Sequence, residues 1–154
     1  MEKYDFIVYA EGGFNKEVGK GAFAHITLDA KSGSIVNTES KLVMDMSDVE
    51  AHIVAITSAV THLPDSCTVL IYSDATIAVD ALRGKEVTRV RKRYIEMFNK
   101  KVEVKDIKYT LEWHGLSLDD PLTRLCWQGC SDEVGEDFGD YYDRNGKFGF
   151  KKAK

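Results

Sequence analysis

No run of apolar residues in this chain approaches the roughly 18 that a membrane-spanning helix needs. The N-terminal MEKYDFIVY lacks the layered basic, apolar and small-residue layout of a secretory signal. Together these absences set the expectation of a soluble, cytoplasmic protein that meets no membrane. Cysteine is scarce as well, with only Cys67, Cys126 and Cys130 in 154 residues. So few thiols exclude a disulfide framework and agree with a reducing compartment. Cys126 and Cys130 are four apart and align on one helix face, but no second ligand pair stands at zinc-site spacing, so both read as ordinary thiols. Internal repeats and long linkers are missing too. The length and the 44% hydrophobic content suit one domain with a full core.

Charge is present but unevenly spread. The chain carries a net −4, yet the segment from Arg83 to Lys105 holds nine basic residues against three acids, which leaves the remainder at about −10. An acidic chain with one basic patch does not read as a nonspecific nucleic-acid coat. It retains one place where a polyanion is able to bind.

The hydrophobic pattern gives the order β-β-β-α-β-α-α-β-α. Strands are predicted at Tyr4–Tyr9, Gly19–Leu28, where Ala22, Ala24, Ile26 and Leu28 alternate, and Ser34–Met44 after a turn at Lys31-Ser32-Gly33-Ser34. From Ser47 to Pro64, Val49, Ile53, Ile56 and Val60 recur at helical spacing with alanines between them. CTVLIY, Cys67–Tyr72, reads as a strand buried on both faces. A short helix at Ile77–Leu82, a basic helix at Glu86–Lys100 and a strand at Ile107–Trp113 follow. Asp120-Pro121 then opens a last helix, with Asp as its cap and Pro in its first turn. This pattern means a mixed sheet flanked by helices, in the α/β or α+β class. We expect one domain over residues 1–130. Residues 131–154, which include FGDYYDRNGKFGF, are expected to form a tail or short hairpin.

Three acids stand at corresponding places in this plan. Glu11 follows the apolar run IVYA and precedes Gly12-Gly13, glycines that allow a sharp departure of the chain. Asp74 closes the buried strand in Ile71-Tyr72-Ser73-Asp74, and Glu50 lies in the first turn of the intervening helix. If the first and fourth strands are neighbours, the three carboxylates converge. Converging carboxylates repel, and hard divalent cations such as Mg2+ relieve that cost. Two such ions activate water and stabilise the leaving oxygen in phosphodiester hydrolysis. Each acid also has a plainer explanation. Ser47-Asp48-Val49-Glu50 is a capping box, Asp74 is a solvated strand end or helix cap, and Asp120 is a cap before Pro121.

The spacing resembles the ribonuclease H family. Tyr9-Ala10-Glu11-Gly12-Gly13 matches the family's Tyr-Thr-Asp-Gly-Ser, Val49-Glu50-Ala51-His52 its helical Glu, and Tyr72-Ser73-Asp74-Ala75 its Tyr-Thr-Asp-Ser. The resemblance covers roughly residues 4–128. It implies a five-stranded mixed sheet, with three antiparallel N-terminal strands followed by parallel ones. It also implies a Mg2+- or Mn2+-dependent endonuclease with two ions, acting on the RNA strand of RNA–DNA hybrids. Glu11, Glu50 and Asp74 would be the metal ligands, with Asp120 joining them as a catalytic carboxylate. Arg89, Arg91, Lys92 and Arg93 would grip the nucleic acid, a contact weakened by salt through counterion release; their plainer reading is a solvated helix face.

The departures from the family pattern are specific. Glu11 replaces Asp, Thr123 stands at the fourth-acid position, with Asp119 or Asp120 one turn earlier, and Met46-Ser47-Asp48 replaces a polar Asn-Asn-Arg. Ala75 replaces a Ser, and His114 is the counterpart of a mobile His. These changes support two other readings. One is a catalytically impaired module that binds nucleic acid or a protein partner; the other is a nuclease for single-stranded or structured nucleic acid. Trp113 and Trp127 read as core or helix-packing residues. His25, His52 and His62 read as structural or exposed and show no metal-ligand pattern.

Overall fold

The computed structural model describes residues 3–114 and 120–145. Five strands, β1 (Phe6–Asn15), β2 (Lys20–Asp29), β3 (Ile35–Val43), β4 (Thr68–Ser73) and β5 (Lys108–Trp113), form one sheet in the order β3-β2-β1-β4-β5. The β1–β2 and β2–β3 pairs are antiparallel, and the β1–β4 and β4–β5 pairs are parallel. The helices are α1 (Asp48–Thr61), α2 (Thr76–Leu82), α3 (Lys92–Val104), α4 (Pro121–Val134) and α5 (Phe138–Asn145). The mixed sheet is the one the sequence implies. Two apolar layers sit on its faces, one joining Val8, Ala10 and Ile71 to α1 and α3, the other joining Ala22, Ala24 and Ile26 to α4 and α5. Among the described residues no helix is long and apolar enough to cross a membrane.

Helix α1 is the central element. Ser47 caps it, accepting from the Glu50 N–H, while the Glu50 carboxylate accepts from the Ser47 N–H, which completes the capping box. Val49, Ala51, Ile53, Ala55, Ile56, Ala59 and Val60 are all buried, because the helix is wedged between the sheet and α3. Full burial of each Ile or Val contributes roughly 1.5–3 kcal/mol.

Gly12 explains how closely α1 sits on β1. A Cβ added there would lie 2.5 Å from the Ala51 carbonyl carbon and 2.7 Å from the His52 nitrogen. The two glycines therefore do not turn the chain, as their sequence context suggests. Strand β1 continues through them to Asn15, with Gly12 paired to Phe23 and Gly13 to Ala22. Their lack of a side chain gives room for a helix on one face at Gly12 and for Tyr142, Phe138 and Trp127 on the other at Gly13. The hairpin turn proper comes later, at Gly19, whose φ of 71° suits glycine.

Two other elements differ from expectation. The basic helix begins at Lys92, six residues after the predicted Glu86. Arg91 is held extended as its N-cap (φ −73°, ψ 140°), with its N–H donated to the Glu50 carboxylate. That tertiary bond outweighs local helix propensity. Residues Phe138–Asn145 form helix α5, with Phe138, Tyr141 and Tyr142 buried against Trp127 and β1. The rest of the anticipated tail, 146–154, lies outside the described residues.

Replacing Gly12 with alanine sets a methyl group against backbone atoms that cannot rotate away. We expect Gly12→Ala to lower stability by about 3 kcal/mol. The check is a fall in the urea midpoint at an unchanged m-value.

Candidate metal centre

The parallel register pairs Phe6 with Val69 and Tyr9 with Tyr72. Continued by two residues, it sets Glu11 beside Asp74. Strand β4 stops at Ser73 while β1 runs on, so a notch opens in the sheet next to Glu11. Into that notch α1 delivers His52, carried there by the close approach at Gly12. Its Nδ1 lies 3.5 Å from Glu11 Oε1, and its Nε2 lies 3.7 Å from Asp74 Oδ1. Donor atoms of Glu11, His52 and Asp74 all fall within 4.8 Å of one another. Glu11 and His52 are fully buried, and the Asp74 side chain is 7% exposed.

Two further groups close the site. His114, just past β5, is anchored by its N–H to the Ser73 carbonyl, and its Nε2 lies 3.5 Å from Glu11 Oε2. Its ring stands edge-on to Tyr9 and Tyr72. Burial pushes the His114 imidazole below its usual pKa, against the pull of the Asp74 and Asp120 charges, so the neutral form is favoured. From below, the indole of Trp127 donates to Asp74 Oδ2 at 3.3 Å, and the Trp113 indole donates to the Asp74 carbonyl. Trp113 is half exposed, so it borders the site rather than filling the core.

The other residues singled out in the sequence lie elsewhere or have other work. The Glu50 carboxylate takes three hydrogen bonds from Arg91, at 2.8–3.0 Å, besides its capping bond to Ser47. The Arg91 guanidinium holds the Glu50 carboxyl far below the usual range, at about 2, against a smaller opposing effect of burial. Glu50 is thus outside the group that Glu11, His52 and Asp74 form. Asp120 caps α4, accepting from the Leu122 N–H at 2.9 Å, and its charge is felt at His114 and Tyr9. Thr123, at the fourth-acid position, is fully buried. Asp119 lies outside the described residues. Arg89 pairs with Asp48 at 2.8 Å, and Arg93 lies over the Tyr94 ring; Lys92 is exposed at the start of α3. Cys126 and Cys130 are free, buried thiols that face the β1 carbonyls of Tyr9 and Glu11.

His52 is the residue that the sequence reasoning missed. Its signal was present: positions 50 and 52 point about 200° apart around a helix, so only one of them faces the sheet notch. A capping box turns the Glu50 side chain back toward Ser47, which leaves the sheet-facing place to His52.

The donor set fits a divalent ion, because buried carboxylates repel one another unless a cation or proton lies between them.

A scan against protein-family models finds no match, and a search of curated proteins finds none either. Solved structures do match. An N-terminal RNase H domain from Mycobacterium tuberculosis, solved as a fusion with maltose-binding protein, aligns over 90% of this chain and 99% of its own, with TM-score 0.71 and 9% identity. RNase H1 from Halobacterium salinarum aligns over 84% of this chain and 97% of its own, with TM-score 0.70 and 12% identity. LC11-RNase H1 in complex with an RNA/DNA hybrid aligns over 84% and 96%, with TM-score 0.67 and 13% identity.

Glu50 is buried while its partner Arg91 is half exposed, so the ion pair is partly screened, and Glu50→Gln is expected to cost about 1 kcal/mol at pH 7. A folded-state pKa near 2, below the ordinary value of 4.5, means the contribution is complete above pH 4.5 and disappears as pH falls toward 2. Urea unfolding of both proteins at pH 7 and pH 3 checks this: the gap between the two stabilities narrows at the lower pH.

Proposed function

We propose, from the ribonuclease H-like fold that these structures share with the chain, that the protein is a metal-dependent endonuclease cleaving the RNA strand of RNA–DNA hybrids. One observation carries the reading. Glu11, within β1, His52, on α1, and Asp74, just past the carboxyl end of the neighbouring parallel strand β4, converge beside that strand end, where open α/β sheets gather their ligands. Glu11 and Asp74 would hold a divalent ion, Mn2+ or Mg2+, with His52 in the place that the sequence assigned to Glu50. Such an ion supplies Lewis-acid activation of the phosphodiester and lowers the pKa of water.

The chain's own groups then have defined tasks. Asp74 is fixed by the Trp127 indole, and Glu11 is flanked by the two imidazoles. His114, whose enclosed Nε2 faces the Glu11 carboxylate, would position that ligand. The exposed Arg89, Lys92 and Arg93, together with the outer part of Arg91, would contact phosphates. Discrimination of RNA from DNA would rest on contacts to 2′-hydroxyls. Asp120 is proposed as a carboxylate that acts on His114 through its charge.

A second reading is a ribonuclease H-like module that binds nucleic acid or a protein partner without hydrolysis. The engagement of Glu50 by Arg91 and the full burial of Glu11 favour it, since both remove oxygen ligands from solvent.

The test is incubation of a labelled RNA–DNA hybrid with Mn2+ or Mg2+, alongside Asp74→Asn and His52→Ala. We expect cleavage of the RNA strand that falls at least 100-fold in each variant. Retention of the hybrid without cleavage by either ion would sink the hydrolase and leave the binding module.

A further inference from the structure

A second cluster of metal-type ligands lies at the far end of α1, where His62 is ten residues from His52, about 15 Å along the helix axis. His25 on β2 and Glu39 on β3 are direct cross-strand partners, and His25 Nε2 lies 2.8 Å from Glu39 Oε1. His62, the C-cap of α1, brings its ring to 5.8 Å from that of His25. Each of the three residues offers a donor atom within 4.8 Å of the other two.

The surroundings prepare these groups as ligands. His62 Nδ1 lies 2.9 Å from the Ser58 carbonyl, which only accepts, so Nδ1 carries the proton and Nε2 keeps the lone pair. The Ser58 hydroxyl donates to Glu39 Oε1 at 2.5 Å. One residue thus orients both an imidazole and a carboxylate, the outer hydrogen bonding that metal ligands usually have. Burial would raise the Glu39 carboxyl, but the hydrogen bonds from Ser58, His25 and Lys41 outweigh it and hold the group at about 2, as the carboxylate. His25 donates its Nε2 proton to Glu39, and a metal ion taking Nε2 would move that proton to Nδ1. Lys41 Nζ lies 3.3 Å from the other carboxylate oxygen, and with 63% of its side chain exposed it is free to swing aside. The His25 side chain is fully enclosed while His62 is exposed, so the cluster is open on one side only.

A hydrogen-bonded His25–Glu39 pair would explain two of these residues. It does not explain the third, nor why Ser58 serves both His62 and Glu39. Two imidazoles and one carboxylate form a His2Glu set, which leaves a fourth position for water or another ligand. Such a set favours borderline transition metals over Mg2+ or Ca2+.

We propose that His25, Glu39 and His62 bind one divalent transition-metal ion of the Zn2+ class, at a site separate from the Glu11 centre, and that the ion ties the β2–β3 hairpin to the C-terminal end of α1. The site is independent of any nuclease chemistry.

Co2+ is the probe, because its visible absorption reports coordination. The full chain carrying Asp74→Asn, which alters the Glu11 centre, is titrated with Co2+ and compared with the same chain carrying His62→Ala as well. His62 is exposed, so its removal leaves the core intact; Glu39→Gln, nearly isosteric, is the second variant. We expect the Asp74→Asn chain to bind an equivalent of Co2+ with tetrahedral-type absorption. The added His62→Ala or Glu39→Gln change should weaken that equivalent at least tenfold. Zn2+ should raise the melting temperature of the Asp74→Asn chain and fail to raise it when His62 is also removed. Absence of any Co2+ equivalent in the Asp74→Asn chain, or an equivalent that survives both added changes, would overturn the proposal.

Discussion

The close packing of α1 on β1 governs the rest of the architecture. Gly12 and Ala51 bring helix and strand into backbone contact, and everything functional on α1 is placed by that contact. It drives His52 through the notch beside Glu11 at one end of the helix and sets His62 over His25 at the other. It also fixes the outer side of α1, where the capping box and Arg91 hold Glu50. A helix one side chain further from the sheet would reach none of these partners, since interiors pack too densely to adjust by an ångström.

Much of the architecture was legible because the hydrophobic period carries it. Alternation in Gly19–Leu28, the run CTVLIY and the i, i+4, i+7 pattern from Val49 predicted β2, β4 and α1. Asp120-Pro121 predicted the start of α4, with Asp120 as its side-chain cap. What could not be read was set by tertiary contacts. Gly12-Gly13 carries a turn signal, and only the helix lying over it shows why glycine is there. Arg89–Arg91 has helix-compatible composition, yet the bond from the Arg91 N–H to Glu50 holds Arg91 extended and delays the helix to Lys92. FGDYYDRN has the Gly and Asp of a loop, and its aromatic residues form α5 because the second face of the sheet needs a cover.

For the candidate site the same division holds. Asp74 follows from a strand ending, and Glu11 from an acid that interrupts an apolar strand run, brought beside it by the parallel register. His52 and His114 do not, because residues from α1 and from the end of β5 meet Glu11 with no spacing motif to display. Glu50 has a structural role of its own. The capping box dictates the side-chain direction, and the Arg91 guanidinium then completes the shell of that carboxylate. The basic loop is therefore partly internal scaffolding, with Arg89 and Arg91 neutralising acids at the N-terminal end of α1, where those acids also meet the positive end of the helix dipole.

The three buried cysteines have a practical consequence. Cys67 sits at the start of β4, and Cys126 and Cys130 face the backbone of β1. Burial pushes the thiols of Cys126 and Cys130 well above their ordinary pKa, so neither yields thiolate while the sheet and α4 stay together. Alkylation of Cys126 and Cys130 must then wait for α4 to lift from β1, and its rate becomes a clock for that opening. The molecule thus carries its own unlabelled reporter of local unfolding on the side of the sheet that supports Glu11.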